Sequence, residues 1–285
     1  MEAAQRKMEA ALTAPRQDCF YVTIFGCSHV RRVYDDCADD GTKMKSNPQS
    51  GEVLRRMFYL PSFFVDQAEI NMYGVGGLNM RQFWDNYYEP SFSVSQSFKQ
   101  GKKNWKLFNI SSFFQQERER GTHCIILQIG DNDVDYFVEF QKTQLGPGQS
   151  LNAKTVAGYI ANEIFDMAQF LQVQLGASHV YLLPLMPRYI QGQVEKTVKI
   201  DDYNAVAELV NSDLKTLDHD VVKFFHAGKK FHFTGDSYLD RADHFADDGV
   251  HLKMGQTPRY YGWIRDNMRR CMILAFNDRL KKKLV

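Results

Sequence analysis

The fold is decided by the stretch YVTIFGCSHVRR, residues 21–32. Its first five residues are β-branched or aromatic, which is typical of a buried strand. Gly26 then allows a sharp turn because it carries no Cβ, and Ser28 follows where a helix is predicted to begin. A serine at the carboxyl end of a parallel strand, beside a helix N-terminus, lies where open α/β sheets bind ligands. An ordinary core strand followed by a serine helix cap would show the same residues.

The composition is that of a globular chain with ample material for a core: 285 residues, 44% hydrophobic and 24% charged. We expect a flexible leader over 1–17, a single domain over 18–280 and a basic tail over 281–285. The formal net charge of +1 gives no global reason to expect nucleic acid. No apolar run approaches the roughly 18 residues of a membrane helix, and no signal peptide is recognisable. The sequence therefore predicts an intracellular protein, cytoplasmic or nuclear.

The five cysteines are odd in number and show no C-x-x-C spacing. This pattern indicates reduced thiols in an intracellular protein, and it disfavours both a disulfide framework and a zinc site.

Strand and helix patterns alternate along the rest of the chain, which predicts a parallel sheet with helices on both faces. After the first strand at 21–27, further strands are predicted within 63–73 and at 123–129, 178–185 and 221–225. Helices are predicted at 80–88, 111–120, 152–175, 200–217 and 257–280, and a short helix at 52–60. Loops are predicted at 35–51 and around 146–148, and residues 89–106 are predicted to be an insertion.

Two polar turns follow predicted strands. The first is Gly74-Val75-Gly76-Gly77, where glycine would let a backbone N–H approach a reacting oxygen. The second is Gly130-Asp131-Asn132-Asp133, where the Asn132 amide could donate to a developing oxyanion. A tight turn explains the first equally well, and an Asx-turn at a loop entry explains the second.

The segment DDGVHL, residues 247–252, places Asp248 three residues before His251. Such a carboxylate can orient an imidazole that acts as a general base. One alternative is a solvated acidic loop. The other is a metal site formed with the neighbouring Asp243, His244 and Asp247, which ranks low because no thiolate pair or H-E-x-x-H spacing accompanies these residues.

In this order the four segments resemble the SGNH (GDSL-type) hydrolase family. The matching blocks are Gly26-Cys27-Ser28, Gly76-Gly77, Gly130-Asp131-Asn132-Asp133 and Asp248-Gly249-Val250-His251. The resemblance implies a flavodoxin-like α/β/α sandwich with a five-stranded parallel sheet of order 2-1-3-4-5.

The same resemblance assigns a role to each site residue. Ser28 would be the nucleophile, His251 its base and Asp248 the residue that orients His251. The oxyanion hole would consist of the N–H of Ser28, the N–H of Gly77 and the side-chain amide of Asn132. No cofactor and no metal are implied.

Two details qualify this resemblance. The sequence around Ser28, Tyr203-Asn204 with Asn211, and residues 248–252 are similar to a metazoan subgroup associated with retrotransposons and other mobile elements. The first block of the family usually has Asp where Cys27 stands, and a thiol cannot replace a carboxylate as an acceptor. Cys27 itself is a poorer nucleophile candidate, because strand alternation would point it away from the face that Ser28 uses.

The leading prediction is therefore a serine esterase or acyl hydrolase that works through an acyl-enzyme, with a small-molecule, lipid or carbohydrate ester as substrate. The alternative is a catalytically weak or inactive module of the same fold that binds nucleic acid or protein through its paired basic residues. A phosphate- or nucleotide-binding flavodoxin-like domain is a weaker alternative, because the turn after the first strand offers little to cradle a phosphate. Sequence alone does not choose the ester.

Overall fold

The computed structural model contains five strands and eight helices in the residues that it describes. These residues are 19–37, 58–65, 67–88, 110–146, 149–188, 200–217, 219–225 and 261–283. In chain order the elements are β1 (Phe20–Gly26), α1 (Ser28–Cys37), α2 (Ser62–Val65), β2 (Ala68–Gly74), α3 (Met80–Tyr88), α4 (Ile110–Arg120), β3 (Cys124–Gln128), α5 (Asp131–Gln144), α6 (Ala153–Leu175), β4 (His179–Leu182), α7 (Ile200–Thr216), β5 (Val222–Phe224) and α8 (Tyr261–Lys283).

The strands form one sheet in the order β2-β1-β3-β4-β5, and every neighbouring pair is parallel. Gly26 at the end of β1 pairs with Gly74 of β2 on one side and Gln128 of β3 on the other. The carboxyl ends of these three strands therefore lie at the same level of the sheet. The predicted parallel sheet and its strand order are confirmed.

Hydrophobic residues cover both faces of the sheet. On one face, Phe25, Ile125 and Leu127 pack with buried residues of α3 to α7. On the other face, Val22, Ile24 and Ile126 pack with buried residues of α1, α2 and α8. Strands that are buried on both sides have continuous apolar runs, which is why the sequence showed them clearly.

Most predicted elements are found within a few residues of their expected bounds, and three features differ. Residues 131–144 form α5, a helix that was not predicted. Residues 35–37, expected in a loop, are the end of α1. Residues 63–73 contain all but the last residue of the predicted second strand, Ala68–Gly74, and in addition most of the short helix α2, which was not predicted. The predicted leader, the insertion at 89–106 and most of the predicted helix at 52–60 lie outside the described residues.

A fully buried carboxylate, Glu117 of α4, accepts hydrogen bonds from side chains of β1 and β2. Its donors are Thr23 Oγ1, Asn71 Nδ2 at 2.6 Å, Tyr73 OH at 2.7 Å, Thr122 Oγ1 at 3.0 Å and Arg120 at 3.1 Å. Such a carboxylate is tolerated only when donors compensate for the loss of water. The network ties α4 to β1 and β2.

None of the described helices is long and apolar enough to cross a membrane. Among the described residues, Cys19, Cys27, Cys124 and Cys271 are buried and are not joined in disulfides.

Candidate functional site

The turn between β1 and α1 places Ser28 at the first position of the helix, half-buried at the carboxyl edge of the sheet. Gly26 is required just before it, because a Cβ there would lie 2.1 Å from the Gln128 backbone oxygen. The Cys27 N–H donates to that same oxygen at 3.0 Å. The first N–H groups of a helix have no acceptor within the helix and carry its positive dipole end, so this turn suits an anionic oxygen.

Cys27 points into the protein interior. Its side chain is fully buried, and its Sγ lies 3.0 Å from Gln128 Oε1. Burial, and secondarily the negative charge of Asp131, raise the pKa of the Cys27 thiol well above its usual range. A neutral, buried thiol is a poor nucleophile, so the geometry favours Ser28 over Cys27.

The glycine turn after β2 lies directly beside this turn. The Val75 N–H donates to the Gly26 carbonyl at 2.9 Å. Gly77 has a φ of 75°, a left-handed conformation that favours glycine. Asn79 then caps α3, its Oδ1 accepting from the Gln82 N–H at 2.8 Å.

Asn132 lies in the first turn of α5, immediately after β3. Gly130 makes the turn from strand to helix with a φ of 115°, and a Cβ there would lie 2.6 Å from Ile164 Cδ1. The half-buried Asn132 side chain donates from Nδ2 to the Leu78 carbonyl at 2.9 Å. The turns after β2 and β3 are thus joined by the Asn132 amide.

Three of the five predicted site residues are therefore described, and each follows one of three adjacent strands. Ser28 follows β1, Gly77 follows β2 and Asn132 follows β3, all at one edge of the sheet. Asp248 and His251 lie outside the described residues, as do the metal candidates Asp243, His244 and Asp247. Their roles stay predictions.

The structure adds Asp131 to the candidate site, a residue for which the sequence analysis assigned no role. Its buried carboxylate accepts from Gln128 Nε2 at 2.6 Å, the Met186 N–H at 3.0 Å and Tyr203 OH at 3.2 Å. Nothing in the local sequence separates Asp131 from an exposed first-turn acid, because Met186 and Tyr203 are far away in the chain.

The segment after β4 is held in place by side chains of α7. Asn211 Oδ1 accepts from the Leu185 N–H at 2.8 Å, and Asn204 Oδ1 accepts from the Arg188 N–H at 2.8 Å. The Arg188 guanidinium pairs with Asp135 and lies 3.9 Å from the Tyr203 ring centroid. Arg188 is thus held between α5 and α7.

Asp133 anchors α3 to α5 and has an unusual pKa. Its Oδ1 accepts from the Met80 N–H at 2.9 Å, whereas its buried Oδ2 has no hydrogen-bond partner in the described part of the chain. Burial, opposed by the Met80 hydrogen bond and reinforced by the charge of Asp131, raises the Asp133 pKa from 3.8 to about 7. The folded protein therefore keeps a proton on Asp133 that the unfolded chain releases.

This difference predicts that Asp133 lowers stability as the pH rises. Between about pH 4 and pH 7 the folded state binds the proton and the unfolded state does not, so the free energy of unfolding falls, and above pH 7 the contribution is constant. Asp133→Asn retains an acceptor for Met80 but cannot ionise. Between pH 5 and pH 8 the free energy of unfolding, measured with urea, should fall further in the wild type than in Asp133→Asn, by up to about 3 kcal/mol. Equal losses in the two proteins would contradict this assignment.

The described residues contain no group of three or more His, Cys, Asp or Glu side chains that could hold a metal ion.

No family model matches the chain, and no curated protein matches it either. Some solved structures align with most of the chain. The lipase Lip_vut3 from a goat rumen metagenome is 12% identical over 90% of this chain and 97% of its own, with a TM-score of 0.48. A protein of Parabacteroides merdae described as a GDSL-like lipase is 13% identical over 92% and 96%, with a TM-score of 0.45. A variant of Axe2, an acetyl-xylooligosaccharide esterase of Geobacillus, is 14% identical over 91% and 96%, with a TM-score of 0.45.

At these identities, and with TM-scores below 0.5, the likeness carries no activity or substrate over to this chain. The narrower placement with metazoan mobile-element proteins finds no support in these structures.

Proposed function

We propose that the chain is a serine esterase, with Ser28 as nucleophile, His251 as general base and Asp248 as the residue that orients His251. One observation carries the proposal. The Asn132 amide donates a hydrogen bond to the Leu78 carbonyl in the turn after β2, at the same edge of the sheet where α1 begins with Ser28. A nucleophile candidate and two oxyanion-donor candidates thus follow three adjacent strands.

The reaction would proceed in two steps. Ser28 Oγ attacks the ester carbonyl while His251 takes its proton, and the tetrahedral intermediate collapses as His251 returns that proton to the departing alcohol. Water then attacks the acyl-enzyme with His251 again as base, releasing the acid and restoring Ser28. No organic cofactor is required for either step.

The oxyanion would be held by the N–H of Ser28, the N–H of Gly77 and the Asn132 amide. A side-chain amide has two N–H bonds. One Asn132 N–H goes to the Leu78 carbonyl, and we assign the other to the oxyanion. The bond to Leu78 fixes the amide before substrate arrives, so little reorganisation is needed during the reaction.

The experiment is hydrolysis of a panel of p-nitrophenyl esters, from acetate to longer acyl chains, by the purified protein. Turnover above the buffer rate supports the proposal. Background rates for folded protein across the whole panel would contradict it and would favour the alternative of an inactive module that binds nucleic acid or protein.

A further inference from the structure

Asp131 lies at the point where four separate parts of the chain meet. Asp131 is only 3% exposed. Oδ2 accepts from Gln128 Nε2 at the end of β3, while Oδ1 accepts from the Met186 N–H after β4 and from Tyr203 OH of α7. The fourth part is the turn that carries Ser28.

Both sequence neighbours of Ser28 face this carboxylate. Cys27 Sγ lies 3.7 Å from Oδ2, and His29 Nε2 lies 3.9 Å from Oδ1. Cys27 is fully buried and His29 is 2% exposed, whereas Ser28 between them is half-buried at the edge of the sheet. The residues on either side of the candidate nucleophile are thus packed against one buried acceptor.

We propose that Asp131 is the positioning residue of the nucleophile: its carboxylate holds the Cys27–His29 turn, and so sets the Ser28 hydroxyl and N–H relative to Asn132. This inference rests on the proposed function. It also accounts for a thiol at position 27. The buried carboxylate beside the Cys27–His29 turn is that of Asp131, at the start of α5, so the turn itself does not have to supply one.

The chemistry favours a carboxylate over an amide at position 131. A carboxylate only accepts, and Gln128, Met186 and Tyr203 each present an N–H or O–H to it. Asparagine would present an N–H₂ in place of one acceptor oxygen, leaving two donors facing each other in a site closed to water. A mismatch of this kind shifts the surrounding backbone, and a displacement of about 1 Å at a reacting group can cost about 100-fold in rate.

The test compares Asp131→Asn with Glu117→Gln in p-nitrophenyl ester hydrolysis. Glu117 is the matched control, because it is an equally buried carboxylate with several donors, and none of those donors lies in the turns that carry Ser28, Gly77 and Asn132. We expect Asp131→Asn to lower kcat about 10- to 100-fold with KM changed less than about threefold. Glu117→Gln should lower the melting temperature and keep kcat within about twofold of the wild type. Equal losses of kcat in both variants, or none in Asp131→Asn, would overturn the inference.

A rescue experiment separates positioning from general damage. Position 27 faces the same carboxylate, so the double variant Cys27→Asp with Asp131→Asn returns one carboxylate and one donor to the site with their places exchanged. We expect it to recover at least about tenfold of the kcat lost in Asp131→Asn. No recovery in a folded double variant would overturn the inference.

If Asp131→Asn does not fold, Tyr203→Phe replaces it, because that variant removes a single donor to Oδ1. It should lower kcat about threefold or more with KM little changed, and an unchanged kcat would overturn the inference. If the wild type hydrolyses the esters and the variants keep its kcat, only the role of Asp131 is refuted. If the wild type shows no turnover, the proposed function is refuted as well.

Discussion

Replacing Ser28 with alanine is expected to lower ester hydrolysis by about 10⁴-fold, to the rate left by binding and the oxyanion donors. The loss should fall on kcat, because Ser28→Ala removes the atom that forms the acyl-enzyme and leaves the surrounding turn intact. Steady-state hydrolysis of a short p-nitrophenyl ester measures it.

Ser62→Ala is the matched control for this variant. Ser62 also stands at the first position of a helix, α2, but it is exposed and lies away from the glycine turns. It should retain wild-type turnover. Similar rates in the wild type and Ser28→Ala, or similar losses in both variants, would exclude Ser28 as the nucleophile.

Replacing Asn132 with alanine is expected to lower kcat by about 10²- to 10³-fold with little change in KM. The Asn132 amide would stabilise charge that develops only in the transition state, so its removal should leave ground-state binding nearly intact. Steady-state measurements of kcat and KM for the wild type and Asn132→Ala on the same ester test this expectation.

Asn132 also bonds to the Leu78 carbonyl, so its loss could act by loosening the turn after β2. Asn79→Ala tests that explanation, because it removes the cap of α3 in the same loop. That variant should lose about 1 kcal/mol of stability and less than about threefold in kcat. If Asn79→Ala loses as much activity as Asn132→Ala, the oxyanion role of Asn132 is wrong.

The sequence predicted the sheet well because its strands are buried on both faces. The runs at β1 and β3 are continuous and apolar, and Gly26 and Gly130 mark where each strand ends. Asn152 and Gly176 likewise mark the two ends of α6, where the first caps the helix and the second takes a left-handed conformation. These signals are local, so a single sequence contains them.

Helix α5 was missed because polar and apolar residues occur on both of its faces. It buries Asp131 and Asp133 together with Val134 and Val138, while Tyr136 and Phe140 are exposed. Apolar periodicity therefore marks the buried face only weakly. The acidic first turn suits the positive end of a helix dipole, but a turn of Asp and Asn residues also fits a loop.

The candidate site was predictable only in part, because some of its contacts join residues that are far apart in the chain. Ser28, Gly77 and Asn132 each follow a strand, so their shared edge could be inferred from topology. The Asp131 carboxylate is held by Met186 and Tyr203, which come from after β4 and from α7. A role that depends on such distant partners leaves no mark in the local pattern.

The most direct test of the proposed acyl transfer is covalent labelling of the folded protein with a fluorophosphonate probe, followed by mapping of the modified peptide. The nucleophile hypothesis predicts one adduct on Ser28, absent from Ser28→Ala and formed far more slowly in His251→Ala. Labelling at another residue, or no labelling of folded protein at high probe concentration, would contradict it.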